Sequence, residues 1–103
     1  MQLYNKLSAE ERRELIRAAG KERLTISFYQ YHQIGNPQLF RDHLFLHWHP
    51  MDVLGRIYVA HEGINAQLSV PGDRFEEFKT FIDSIDFLEN VRLNIAREQD
   101  NES

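Results

Sequence analysis

The chain contains no cysteine. That excludes a disulfide framework, a thiolate metal site and a cysteine nucleophile within these 103 residues. No stretch approaches the ~20 consecutive apolar residues of a membrane span, so no membrane partner is expected. The N-terminus, MQLYNKLSAEERREL, is charged and lacks the apolar centre of a secretion signal. Positive charge is outnumbered, with 12 Lys or Arg against 16 Asp or Glu. The net charge is −4, which argues against a broadly basic nucleic-acid binder. The balance is uneven, however. Residues 1–36 carry six Lys or Arg against four Glu, whereas residues 72–90 carry two against six acids. Any nucleic-acid contact is therefore expected to be local, made by the first half of the chain or by the polar face of a sheet. There is no internal repeat and no low-complexity segment. No flavin, haem or non-haem iron motif is visible, so no cofactor is identifiable and no metal site is assigned.

What the chain does have is alternation. Residues 55–71, GRIYVAHEGINAQLSVP, contain two period-2 runs. Ile57 and Val59 point one way, Arg56 and Tyr58 the other. Ile64, Ala66, Leu68 and Val70 then oppose Asn65, Gln67 and Ser69. Such alternation with β-branched residues marks half-buried strands. The intervening His61-Glu62-Gly63 reads as the turn of a β-hairpin, with Gly63 supplying the positive φ that a tight reversal needs. Residues 24–32, LTISFYQYH, alternate in the same way, with Leu24, Ile26 and Phe28 against Thr25, Ser27, Tyr29 and Tyr31. Val91, Leu93 and Ile95 against Arg92, Asn94 and Ala96 predict a last strand.

Helices fill the gaps. Ser8 and Glu11 form a capping box ahead of a short, narrow apolar stripe of Leu15, Ile16 and Ala19, which Gly20 ends. Asn36 and Pro37 are an N-cap and first-turn proline, followed by Phe40, Leu44 and His47 or Trp48 at helical spacing. Phe75, Phe78, Ile82 and Ile85, with Phe81 beside them, predict an amphipathic helix that opens at Gly72-Asp73, with Asp73 and Glu76 as its capping pair. Aromatic anchors on such a stripe read as core.

After the first helix the order is β-α-β-β-α-β, which predicts an α+β, ferredoxin-like sandwich. A four-stranded antiparallel sheet would carry two helices on one face, plus the short extra helix. Residues 1–22 are expected to be a helical extension, 23–97 the ferredoxin-like domain, and 98–103 a tail or a truncated linker. The uncovered sheet face would collect Tyr29, Tyr31, Arg56, Tyr58, Asn65 and Arg92 among small polar groups. A surface of that kind can stack bases and contact phosphates. Docking of another domain or subunit is the reading that residue type alone favours, because Tyr and Arg are enriched at protein interfaces. The residues alone leave both readings open.

Other constellations carry less. His43 and His47 lie four apart on a predicted helix, a metal-compatible spacing, but nothing at a fixed spacing completes the set and half-buried helix histidines are the simpler reading. His61-Glu62-Gly63-Ile64-Asn65 has Asn65 where a zinc-protease helix needs its second histidine, and it sits in a turn. His61 and Glu62 can act as an acid–base pair, although a solvated turn is the simpler reading of them. Acylphosphatase chemistry needs a cationic phosphate cradle after the first strand, whereas residues 32–37, HQIGNP, contain no basic residue.

The segments TISFYQYHQIGNP, GRIYVAHEGINAQLSVP and VRLNIA resemble the N-terminal, acylphosphatase-like domain of the bacterial rhodanese-domain tRNA uridine hydroxylases. The resemblance implies a cytoplasmic protein about three times this length. Its oxygen-dependent reaction forms 5-hydroxyuridine at the tRNA wobble position, with molecular oxygen as co-substrate, and tRNA and a C-terminal rhodanese domain are the implied partners. That domain and its loop cysteine are absent from this sequence, so the catalytic residues stay unknown and the fragment is expected to be inactive by itself. For these residues the implied role is tRNA binding or docking of the rhodanese domain. The alternative is a protein-interaction module with no RNA contact. Arg56 and Tyr58 on the open face, and His61, Glu62 and Asn65 at its rim, are the first candidates. Tyr29, Tyr31 and Arg92 follow.

Overall fold

The computed structural model describes residues 8–97. The tail at 98–103 and the start of the N-terminal extension lie outside the described residues. Helix α1 spans Ala9–Ala19, β1 Arg23–Tyr31, α2 Pro37–Trp48, β2 Leu54–Ala60, β3 Gly63–Pro71, α3 Phe75–Asp83 and β4 Asn94–Arg97. The strands form one antiparallel sheet in the order β2-β3-β1-β4, with β1 paired to both β3 and β4. This is the expected βαββαβ arrangement.

Binary patterning accounts for the two layers. Leu24, Ile26 and Phe28 of β1, and Ile64, Ala66, Leu68 and Val70 of β3, are buried on one sheet face. They meet Leu44 and Trp48 of α2 and Phe75, Phe78 and Ile82 of α3 in a single cluster. Each buried Val, Leu, Ile or Phe side chain among them contributes about 1.5–3 kcal/mol. The two helices touch through Trp48 and Phe78, whose ring centroids are 5.9 Å apart. At the ambiguous end of α2, Trp48 is the buried position and His47 the exposed one.

Local signals start the first two helices as expected. The Glu11 amide donates to Ser8 Oγ at 3.1 Å and the Ser8 amide to Glu11 Oε1 at 3.1 Å. The Leu39 amide donates to Asn36 Oδ1 at 3.0 Å, with Pro37 in the first turn. Helix α1 is more than an appendage. Ala19 is buried in the core, Leu15 and Ile16 pack against it, and the Arg12 guanidinium lies 6.0 Å from the Phe75 ring centroid.

Three boundaries differ from expectation. Helix α3 has no side-chain cap at Asp73: a 3-10 turn over Gly72–Arg74 precedes it, and the helix begins at Phe75. The Gly72 amide is committed to the Glu22 carbonyl at 2.9 Å, and a Cβ there would meet the Gly20 carbonyl oxygen at 2.7 Å, so contact with the end of α1 sets the entry. Ile85 lies beyond α3, because Ser84 closes the helix by donating to the Phe81 carbonyl at 2.5 Å. The last strand begins at Asn94, and Arg92 precedes it. Asn90 takes a φ of 59° and its amide binds Asp83 Oδ1 at 3.0 Å, which holds the preceding segment to α3 and delays pairing with β1.

Candidate functional site

The register sets out the uncovered face as rows of side chains. Tyr58, Asn65 and Tyr29 share one row across β2, β3 and β1. The next row inward is Arg56, Gln67, Ser27 and Asn94, and the row at the hairpin end is Ala60, Gly63 and Tyr31. Tyr29, Tyr31 and Tyr58 keep 53%, 70% and 68% of their surface exposed, so the helices lie entirely behind the sheet. The β4 side is more closed, with Thr25, Ser27 and Asn94 half-buried and Ala96 buried. The accessible part of the face is therefore β2, β3 and the C-terminal end of β1.

Tyr29 and Tyr31 form an edge-to-face pair with ring centroids 4.9 Å apart. The Tyr29 hydroxyl is held above its ordinary pKa, first by its interaction with the Tyr31 hydroxyl, then by desolvation and by the charges of Tyr31 and Glu62. It stays a neutral phenol, able to donate and accept, throughout the physiological range. Between Tyr29 and Tyr58 is a slot of about 70 Å³, bordered by Asn65, Ala60 and Glu62. A shallower depression of about 300 Å³ runs on from it past Tyr58 and Asn65 to Arg56 and Gln67. Among the described residues the Arg56 side chain makes no hydrogen bond and no ion pair, so its guanidinium is available.

The hairpin turn sits at the rim. His61 and Glu62 both have negative φ, so the reversal is not one of the primed types, and Gly63 takes a φ of 153° instead. The turn is sewn to the segment after β1: the His32 amide donates to the Glu62 carbonyl at 3.0 Å and the Ile34 amide to the His61 carbonyl at 2.8 Å. His61 Nδ1 lies 3.0 Å from the Ile34 carbonyl oxygen and must carry the proton to donate there. The His61 ring thus serves the rim's architecture, and among the described residues it has no ion pair with Glu62. An open depression of about 490 Å³ beside it is lined by Tyr31, His32, Gln33, His61 and Glu62.

The structure therefore gathers Tyr29, Tyr31, Arg56, Tyr58, Glu62 and Asn65 on one surface, with His61 bracing its edge. Arg92 is exposed but lies outside β4, so it does not join the rows. One open-face cation escaped the sequence reading. Arg23 lies across β3, with Nε 2.6 Å from Ser69 Oγ and a second nitrogen 3.1 Å from Asp52 Oδ2, so it is committed to the fold. Its place at an odd position of β1, in phase with Tyr29, was the available signal. Leu54, 57% exposed at the start of β2, is an apolar member of the same face. The paired histidines of α2 are exposed rather than half-buried: His47 stacks on Phe81 with centroids 4.7 Å apart, and His47 Nδ1 lies 3.0 Å from the His43 carbonyl oxygen. Among the described residues no three His, Asp or Glu side chains converge as metal ligands would. No helix of the described residues is long and apolar enough to cross a membrane.

Compared with known protein families, residues 23–102 match the UPF0176 acylphosphatase like domain. The chain belongs to that family. The match takes in the whole sheet with α2 and α3, and begins at the first residue of β1. Relatives of this UPF0176 domain include a protein from Enterobacter sp. (strain 638), 47% identical over 98% of this chain. A Pectobacterium carotovorum protein is 46% identical and a Hamiltonella defensa protein 42% identical over the same share. All three are named tRNA uridine(34) hydroxylase. The chain spans 29% of the length of each.

Proposed function

We propose that this domain is the tRNA-engaging part of a cytoplasmic tRNA uridine hydroxylase, which uses molecular oxygen to form 5-hydroxyuridine at the wobble position. The observation that carries this is the exposed row Tyr58–Asn65–Tyr29 with an unengaged Arg56 beside it. Aromatic faces, an amide and a single guanidinium offer stacking, edge recognition and phosphate contact together. The names of the relatives add a tRNA substrate to that chemistry. The domain supplies no catalytic thiol. The chemistry is assigned to a rhodanese domain with its cysteine, and the 103 residues by themselves are expected to be inactive.

A docking role is the second reading, favoured by Leu54, whose apolar exposure on the same face contributes nothing to phosphate binding. Amide NMR separates the two. On titration of the labelled domain with tRNA at low and moderate salt, shifts are expected at Tyr29, Arg56, Tyr58 and Asn65, weakening as salt rises. Shifts confined to the helix layer, or none with tRNA while a rhodanese domain added in trans protects Tyr29 and Tyr58, would select docking instead.

A further inference from the structure

We infer that the open face takes unpaired RNA, with two splayed bases seated on Tyr29 and Tyr58, and does not take a helical stem. This rests on the tRNA-engaging reading above and specifies what part of an RNA the face can hold.

Spacing is the first ground. Tyr29 and Tyr58 share a row and are separated by the one strand that carries Asn65. Two interstrand steps of ~4.8 Å put their attachment points about 10 Å apart. Bases in a duplex rise only ~3.4 Å along each strand. A stacked helix cannot place neighbouring bases on both rings, whereas an unpaired strand can unstack and splay to do so.

The slot between the rings is the second ground. It is a small slot of about 70 Å³ with Asn65 on the strand between the two rings. A single carbonyl or amino group at a base edge fits and would meet the Asn65 amide, which offers both donor and acceptor. The bases therefore lie over the rings with an edge turned down to β3. Tyr31, fixed edge-to-face against Tyr29, limits how far the Tyr29 ring can turn.

Charge is the third ground. A duplex is held chiefly through its phosphates by several cations. On this face Arg23 is committed to Asp52 and Ser69, Arg92 has interactions of its own outside the rows, and Glu62 puts a negative charge at the rim. Arg56 is the one unengaged guanidinium among the described residues of the rows. Stacking on aromatic rings needs no such array.

The test compares a fluorescein-labelled oligouridine of about eight nucleotides with an RNA duplex of equal length, both titrated with the 103-residue domain at low salt. The single strand is expected to bind at least ten-fold more tightly. Tyr58→Ala and Tyr29→Ala should each weaken it about ten-fold, within the range of one base–aromatic stack, while Tyr58→Phe should retain most of the affinity. Both tyrosines are more than half exposed, so the variants are expected to fold, and far-UV circular dichroism checks this. Equal or tighter duplex binding, or alanine variants that bind the single strand like the parent, would overturn the inference. If tRNA still shifts the open-face amides in that case, the tRNA-engaging reading survives it. If no RNA shifts them, both fall.

Discussion

A methyl group at Gly63 would lie 2.3 Å from the Gln30 carbonyl oxygen and 3.1 Å from Tyr31 Cα, both backbone atoms that cannot move aside. The residue also holds a φ of 153°, which L side chains rarely adopt. Gly63→Ala is therefore expected to cost about 2–5 kcal/mol, from backbone strain and overpacking together. Urea denaturation at neutral pH measures it. Because Gly63 faces Tyr31 in the ladder, the same change should shift the Tyr29 and Tyr31 amides in NMR spectra, whereas an exposed change such as Gln67→Ala should leave both stability and those amides nearly unaltered. The need for glycine at this position was legible in the chain, since His-Glu-Gly between two alternating runs signals a reversal. The tie from His61 to Ile34 was not, because it joins residues 27 apart, and no periodicity reports on such a contact. The engagement of Arg23 by Asp52, 29 residues on, was hidden for the same reason.

At the scale of elements, α3 shows how a helix end governs a strand. Asp83 near its C-terminus accepts from Lys79 Nζ at 2.6 and 2.7 Å and from the Asn90 amide at 3.0 Å. Burial pushes the Asp83 carboxyl up, but the hydrogen bonds from Lys79 and Asn90 and the charges of Lys79 and Arg12 outweigh it, so its pKa is below the ordinary value. The folded-state group thus ionises more readily than the unfolded one. Its contribution is complete above the ordinary Asp range, about pH 4, and fades as the pH falls through the lower folded-state value. Asp83→Asn should be less stable than the parent at pH 7, with the gap closing below about pH 4. Paired urea titrations at pH 7 and pH 3 test this, and a gap of constant size would refute it. The strands themselves were readable from period-2 patterning, and the helices from their stripes and caps. The start of β4 was not: Arg92 alternates correctly with its neighbours, yet the hold of Asp83 on Asn90 delays the ladder until Asn94. Arg92 thereby lost the place on the open face that its parity predicts.

Charge at the scale of the whole molecule is sorted by layer. The acidic stretch at residues 72–90 forms α3 and the segment after it, behind the sheet, while the tyrosines and Arg56 face forward. A polyanion is thus repelled from the back and only weakly drawn to the front, in keeping with a net charge of −4. If Arg56 is the main cation neutralising phosphate, the logarithm of the binding constant for an unpaired RNA should fall with the logarithm of salt concentration at a slope of about −0.7, the value for one phosphate on a single strand. Arg56→Ala should bring that slope close to zero while leaving most of the stacking affinity, because the tyrosines do not depend on it. Fluorescence titrations from about 50 to 200 mM KCl, the range over which such slopes are informative, resolve the two values. A slope steeper than about −3 would mean that several cations grip the backbone. The basic residues of α1, Arg12, Arg13 and Arg17, would then be the ones to examine, and the RNA would have to reach around the edge of the sheet to touch them, a geometry that two bases seated on Tyr29 and Tyr58 do not require.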